Sequence, residues 1–354
     1  MGHGLRHPAD LVAWRRWHES RHPVRHVVRS ARARLRPQVE AHVDLLVADE
    51  DADVLVAVEA THASVDRAVV VPLRHLDADR TTVVAPVGWQ PPAAYSGHAR
   101  RTVALADLSL PAVRAVLAAG HQSQIGSATF ALAERTGATF LVSQHGALTP
   151  YAPPLPRAAR LLAWSEADGH FWTTGRQDVE VEVVGSQLLW VAGGLMTGAR
   201  APSSTTGGDA APLTYLGQGH AAEISRARLA RAALSTCRAH GATYRPHPSE
   251  RDVTSRAVLA GYRRAGITVD TSGVPLVDLE APIVSVFSTG VLEAAARGRE
   301  AWVDFPRPPA WLGEFWERYA MHRLGHSPTP TPAPARAAHQ PAERIAAIVT
   351  GEAS

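Results

Sequence analysis

Short valine-rich runs alternate with helical or turn segments along most of the chain, and this alternation restricts the fold more than any other feature of the sequence. In the first half the runs cover residues 53–58, 81–86, 102–105 and 138–142, followed by 160–164 and 179–184, the last ending at Gly185. Helices are expected over 110–119 and over 128–136, the second closed by Gly137. Strands this apolar, bounded by helices, belong to parallel βαβ units whose sheet is covered on both faces. A second series begins at residues 212–217 and continues with a helix over 223–240, a strand at 242–244, a helix over 253–265 and short strands near Ile267 and Ile283. A Trp-rich helix over 309–322, a Pro/Thr/Ala segment over 327–338 and a helix from Pro341 finish the chain. Between the two series lie Gly193-Gly194 and Pro202-Ser203-Ser204-Thr205-Thr206-Gly207-Gly208, a composition that cannot pack a core and reads as a linker. A length of 354 residues, at about 150 per domain, then gives an α/β chain of two Rossmann-like domains. The expected division is a basic helical segment over 1–40, an N-terminal domain over 41–190, a linker over 191–211 and a C-terminal domain over 212–354. Two such halves facing across a cleft hold ligands at the carboxyl ends of their strands.

All 36 basic charges are arginines, because the sequence contains no lysine. A lysine Schiff base, a P-loop lysine and a catalytic lysine base are thereby excluded. The net charge of +3 is too small to point to nucleic acid, and no helix-turn-helix, zinc-finger or aromatic-plus-basic signature accompanies it. Cys237 is the single cysteine, so no internal disulfide forms, and neither a Cys cluster nor an HExxH spacing marks a metal site. Charged residues interrupt every apolar stretch before the ~18 residues a membrane-spanning helix needs. The start, Met1-Gly2-His3-Gly4-Leu5-Arg6, has no apolar core of a signal peptide, so a cytoplasmic location is expected. Residues 1–40 carry nine arginines against Asp10, Glu19 and Glu40, with Trp14, Trp17, Val24, Val27 and Val28 at loosely helical spacing. One reading is a helix packed on the domain edge with its arginines in water. The other is a basic, Trp-bearing face that makes peripheral contact with the anionic inner surface of a membrane.

Three segments carry chemistry. In Ser285-Val286-Phe287-Ser288-Thr289-Gly290-Val291-Leu292-Glu293 an apolar strand runs directly into Ser-Thr-Gly and a strong helix former. Ser288 or Thr289 caps that helix, and the free N–H groups around Gly290 suit a phosphate, with Glu293 one turn in as an acceptor for ribose hydroxyls. In Tyr244-Arg245-Pro246-His247-Pro248-Ser249-Glu250-Arg251-Asp252 two prolines fix the backbone around one histidine. Arg245, His247 and Glu250 are candidate contacts to a nucleotide, while Ser249 and Asp252 form a capping box for the next helix. In Ser143-Gln144-His145-Gly146 a histidine follows a strand's carboxyl end, where it serves as a general base or orients substrate. Glu59 and His62 hold the corresponding position after the first strand.

Together these motifs resemble those of inverting sugar-polymer transferases of the GT-B architecture, over roughly residues 50–320. Arg245-Pro246-His247-Pro248 is similar to the His-Pro motif of bacterial sialyltransferases and polysialyltransferases, where that histidine contacts the CMP part of the donor. Ser288-Thr289 matches the hydroxyl pair those enzymes place at the donor phosphate. The same two elements are similar to those of capsule Kdo transferases. Gln144-His145-Gly146 resembles the His-Gly element of the CDP-glycerol glycerophosphotransferases of teichoic acid synthesis. The paired acidic motif followed by Gly, which supplies the base in polysialyltransferases, is not found, nor is the Gly-rich first loop of many GT-B enzymes. His145 and Glu59 therefore stand as the candidate catalytic residues, with Gln144, Gly146, Arg245, His247, Glu250, Ser288, Thr289, Gly290 and Glu293 as candidate substrate-binding residues. The resemblance implies a metal-independent enzyme with no cofactor beyond a nucleotide-sugar co-substrate, a CMP-activated acidic sugar, and a polysaccharide or lipid-linked acceptor of the cell envelope. Transfer of CDP-linked glycerol or ribitol, nucleotide-sugar epimerisation and non-catalytic binding on the same scaffold are the alternatives.

Overall fold

The computed structural model describes residues 4–21, 40–47, 49, 51–194, 212–219 and 221–352. The chain divides into two compact units, one formed by Gly4–Leu188 with Ala337–Ser354 and the other by Leu189–Arg336. The first unit is built on strands β1 (His42–Val47), β2 (Val54–Ala57), β3 (Thr81–Pro86), β4 (Ala99–Ala104), β5 (Ala115–Ala118), β6 (Thr139–Ser143), β7 (Arg160–Ala163) and β8 (Glu180–Val183). Their order is β4-β1-β3-β2-β5-β6-β7-β8, parallel from β3 to β8, with β1 antiparallel to both β3 and β4.

Alternation along the central strands builds two cores. Val54, Val56 and Val58 join Leu117, Leu141 and Leu162 on one face, while Leu55, Ala57, Val116, Phe140, Val142 and Leu161 form the other. The second face is covered by helices α2 (Gln124–Thr136) and α3 (Glu166–Trp172), through Ile125, Leu132 and Trp172. The first is covered by helical turns from Ala63 to His75 and by the last helix of the chain.

The sequence reading differs from the structure in several elements, each for a physical reason. Residues 115–118, expected within a helix over 110–119, form the central strand β5. Ala-Val-Leu-Ala is apolar at every position, so no periodicity separates a buried strand from a buried helix, and pairing to β2 and β6 on both sides decides the outcome. The run at 102–105 ends β4, an exposed antiparallel edge strand rather than a parallel one. It binds β1, which the valine runs did not reveal because Asp44 interrupts its apolar pattern. Asp44 is 2 % exposed and accepts bonds from the Arg100 guanidinium at 2.6 Å, the Thr102 hydroxyl at 2.7 Å and the Gly88 N–H at 2.8 Å. Burial pushes its carboxyl up, and these bonds outweigh it to leave the group below its ordinary value.

Of the segment expected as linker, residues 191–194 belong to helix α4 (Gln187–Gly194), where Leu189 and Ala192 are buried. Residues 195–211 lie outside the described residues. At the start of the chain, α1 (Leu11–Ser20) is capped by Asp10 and lies on the edge of the first unit. The Trp14 indole N–H donates to the Tyr151 carbonyl at 2.8 Å, and Trp17 stacks on the Tyr151 ring at 4.6 Å. Val24, Val27, Val28 and the arginines between 22 and 39 lie outside the described residues. No helix among the described residues is long and apolar enough to cross a membrane.

The second unit holds β9 (Thr214–Leu216), β10 (Thr243–Arg245), β11 (Ile283–Ser285) and β12 (Ala301–Val303), all parallel in the order β10-β9-β11-β12. Helices α5 (Arg226–His240), α6 (Val253–Arg264), α7 (Thr289–Ala296) and α8 (Ala310–Arg318) complete it. The expected fold class therefore holds: an α/β chain with two parallel-rich, Rossmann-like sheets. Helix α9 (Pro341–Thr350), expected in the C-terminal domain, belongs to the first unit. Its Ile345, Ala346, Ile348 and Val349 share a core with Val69 and Leu73, and the Gln187 side chain accepts the Ala342 N–H at 2.9 Å. Chain order does not restrict which apolar face a terminal helix covers. Ile345→Ala removes buried methyl groups from that core and is expected to cost about 2–4 kcal/mol, measured by urea denaturation. An unchanged midpoint would mean that α9 does not hold this face.

Candidate functional site

In the second unit the chain runs from β9 outward to β10 and then crosses back to β11 on the other side of β9. The crevice at a parallel sheet's carboxyl edge, where strand order reverses in this way, is where open α/β sheets take ligands. Here it lies between the loop Gly217-Gln218-Gly219 after β9 and the turn Val286-Phe287-Ser288 after β11. Side chains hold both loops in place. Gln218, buried, accepts the Phe287 N–H at 2.8 Å and sits 3.2 Å from the Ser285 hydroxyl. Glu250, 6 % exposed, accepts the Gly219 N–H at 3.0 Å, the Tyr244 hydroxyl at 2.9 Å and the His247 N–H at 3.3 Å. Burial raises its carboxyl pKa against these bonds. Gly217 has no room for a side chain, since a Cβ there would lie 2.3 Å from the Tyr244 hydroxyl and 2.7 Å from Glu250.

Ser288 caps α7, its hydroxyl oxygen accepting the Gly290 N–H at 3.1 Å, and Thr289 is the first helical residue. Gly290 lets the helix start sit against β9, because a Cβ would meet Leu216 at 2.8 Å and Leu276 at 2.9 Å. Glu293 is half-buried one turn further on. His247 is exposed on the turn after β10, with its Nδ1 accepting the Ser249 N–H at 3.1 Å. Since β9 lies between β10 and β11, His247 and Ser288 reach the same sheet edge on either side of the Gly217–Gly219 loop. Arg245 is committed elsewhere: its guanidinium pairs with Asp270 at 2.9 Å and donates to the Val274 carbonyl. Ser249 does not cap α6. Asp252, adjacent to the first helical residue, takes that place by accepting the Ser255 N–H at 2.8 Å.

The first unit repeats the crevice between β2 and β5. Glu59, two residues beyond β2, accepts the Ala119 and Gly120 N–H groups at 3.0 and 2.9 Å and the Ser123 hydroxyl at 2.5 Å. Ser123 in turn caps α2 by accepting the Gly126 N–H at 2.9 Å. Burial raises the Glu59 pKa against these bonds. Gln144, expected at substrate, is 2 % exposed and ties β6 to β7. Its side-chain oxygen accepts the Trp164 N–H at 2.9 Å, its side-chain amide donates to the Gly146 carbonyl at 3.1 Å, and its own carbonyl accepts the Trp164 indole N–H at 2.8 Å. This clamp sets the position of His145, whose Nδ1 is buried without a hydrogen-bond partner and whose ring centroid lies 6.2 Å from that of His62. Burial, reinforced by His62, holds His145 down to about 4.

Two residues at these edges were not singled out in the sequence. Gln218 is flagged only by its place between two glycines after a strand. His121, 8 % exposed in the loop after β5, packs edge-on against Phe130, and its Nδ1 is also buried without a partner. Burial, then Arg15 and Arg176, hold its pKa down to about 4. Among the described residues no group of three or more His, Cys, Asp or Glu side chains is placed to hold a metal ion. No protein-family model matches this chain, and no curated protein matches it.

Both depressed imidazoles are neutral in the folded state at neutral pH. Their unfolded counterparts titrate near 6.5, so this stabilisation is complete above that value and lost as pH falls from 6.5 towards about 4. For His121 the loss is on the order of 3 kcal/mol. Urea midpoints are expected to fall between pH 7 and pH 4.5, and His121→Gln is expected to flatten the slope. An unaltered slope in that variant would show that His121 carries its proton in the native state.

Proposed function

We propose that this chain is an inverting, metal-independent glycosyltransferase. In this reading it moves an acidic sugar from a CMP-activated donor to a hydroxyl of a growing cell-surface polysaccharide, with the nucleotide held on the second unit. The observation that carries the reading is the β9/β11 crevice, where a Ser-capped helix start, the Gly217–Gly219 loop and the His247 turn share one edge at the point of strand-order reversal. The similarity of Arg245-Pro246-His247-Pro248 and Ser288-Thr289 to the donor-binding elements of sialyltransferases supplies the choice of CMP.

In a chain without lysine, the leaving phosphate is met by fixed groups: the positive end of α7, the hydroxyls of Ser288 and Thr289, and His247. The acceptor hydroxyl oxygen bonds to the anomeric carbon as the bond from that carbon to the phosphate oxygen breaks, and CMP departs with the electron pair. The configuration at that carbon inverts. The candidate base carried by the first unit is His145, whose imidazole is neutral at neutral pH. A base this weak takes the proton late, as bond formation makes the hydroxyl acidic. Arg245, bound to Asp270, shapes the β10 edge rather than meeting the phosphate.

Thermal-shift measurements with CMP, CDP, UDP and GDP test the reading, because stabilisation follows occupancy. Selective stabilisation by CMP is expected, with Ser288→Ala weakening it about tenfold, the loss of one charge-assisted hydrogen bond. CMP release from a CMP-sugar with acceptor present is expected in turnover assays. Turnover of CDP-glycerol instead would assign the phosphotransferase reading, and a chain stabilised by none of the nucleotides would overturn the donor site.

A further inference from the structure

The two units share one plan at their carboxyl edges. In each, the first parallel strand sits between the second and third, and a side chain two residues past its end accepts backbone N–H groups from the loop after the third strand. In the second unit that side chain is Gln218, which accepts the Phe287 N–H; in the first it is Glu59, which accepts those of Ala119 and Gly120. The positions correspond, and the charge differs.

We propose that Glu59 is an internal anion that closes the first unit's crevice to phosphate, so that the chain takes one nucleotide, on the second unit. All three bonds to the Glu59 carboxyl are donated to it. Oε1 takes two N–H groups, and Oε2 takes the Ser123 hydroxyl, whose oxygen is itself occupied by the Gly126 N–H. That donor set matches an ionised carboxylate, which only accepts. Two successive N–H groups, a capping hydroxyl and the positive end of a 13-residue helix are also the parts from which phosphate sites are made. Here the carboxylate already occupies them, and a second anion would meet both its charge and its bulk. Packing reinforces the seal: a Cβ on Gly126 would lie 2.3 Å from the Gly120 carbonyl and 2.9 Å from Glu59. In the second unit the residue at that position, Gln218, is a neutral amide bonded to the turn before α7, and the carboxylate of that loop, Glu250, holds Gly219 from the β10 side. Glu59 is thus a specificity-determining residue and not the base of the transfer.

The contrast with the second unit rests on the donor site proposed above, and the test separates the two ideas. Full-length protein labelled with ¹⁵N-glycine is titrated with inorganic pyrophosphate while the amide signals of Gly120, Gly219 and Gly290 are followed. In the native chain Gly120 is expected to stay fixed while Gly219 and Gly290 move. In Glu59→Ala, which bares the donors, Gly120 is expected to move as well, and the binding stoichiometry is expected to rise from one pyrophosphate to two. Should that variant not fold, Glu59→Ser, which removes the charge and most of the bulk while keeping a short polar group, is read in the same way. Movement of Gly120 in the native chain overturns the proposal, as does a silent Gly120 in the folded variant. Silence at Gly219 and Gly290 with the Glu59 results as expected would sink the donor site and leave the closed crevice standing.

Discussion

Backbone N–H groups leaving the carboxyl edge of a parallel sheet have lost their ladder partners, and a buried N–H without an acceptor is costly. Both units meet this constraint by sending a side-chain oxygen across the gap where strand order reverses. Glu59 does so from β2 and Gln218 from β9. The helix starts at those edges are tied to these contacts. The α2 cap at Ser123 is oriented by Glu59, and the α7 turn is set by the bond from Phe287 to Gln218. Glu250 fixes the β9 loop from its other side and at the same time holds the start of the His247 turn.

The absence of lysine gives the charged groups a consistent use. Several well-placed arginines are tied to a single acid near the start or end of a strand or helix: Arg100 to Asp44, Arg226 to Asp252, Arg245 to Asp270. Such forks are geometrically rigid and hold loops in place better than a flexible ammonium would. In the donor site proposed above, the groups offered to a phosphate are hydroxyls, a helix N-terminus and an imidazole, a set that is preorganised by direction. The same reasoning separates the histidines. His145 and His121 are held neutral by burial, whereas His247 lies exposed on a proline-bounded turn with its Nδ1 bound to the Ser249 N–H.

Much of this is legible in the sequence. The valine runs at 53–58, 81–86 and 138–142 read as strands because β-branched residues bounded by turn formers have few other uses, and Gly137 closes its helix at positive φ as glycines do. The strand-to-helix step at Ser288 was readable from the abrupt change to Ser-Thr-Gly. Less readable were the functions of polar residues lying close to those steps. Gln144 and Arg245 stand where ligand contacts are expected, yet their side chains are consumed by Trp164 and Asp270, partners distant in sequence. Ser249 lost its capping role to Asp252 through a local choice that the spacing did not distinguish.

Local patterns, then, settled what kind of element each segment forms and hence the α/β class, because propensity and periodicity act over a few neighbouring residues. The order of the strands, the placement of α9 on the first core, the crossing of Glu59 and Gln218 to a neighbouring loop and the neutrality of His121 and His145 were settled by packing. Those properties depend on which distant segments exclude water together, and one-dimensional spacing carries no record of that.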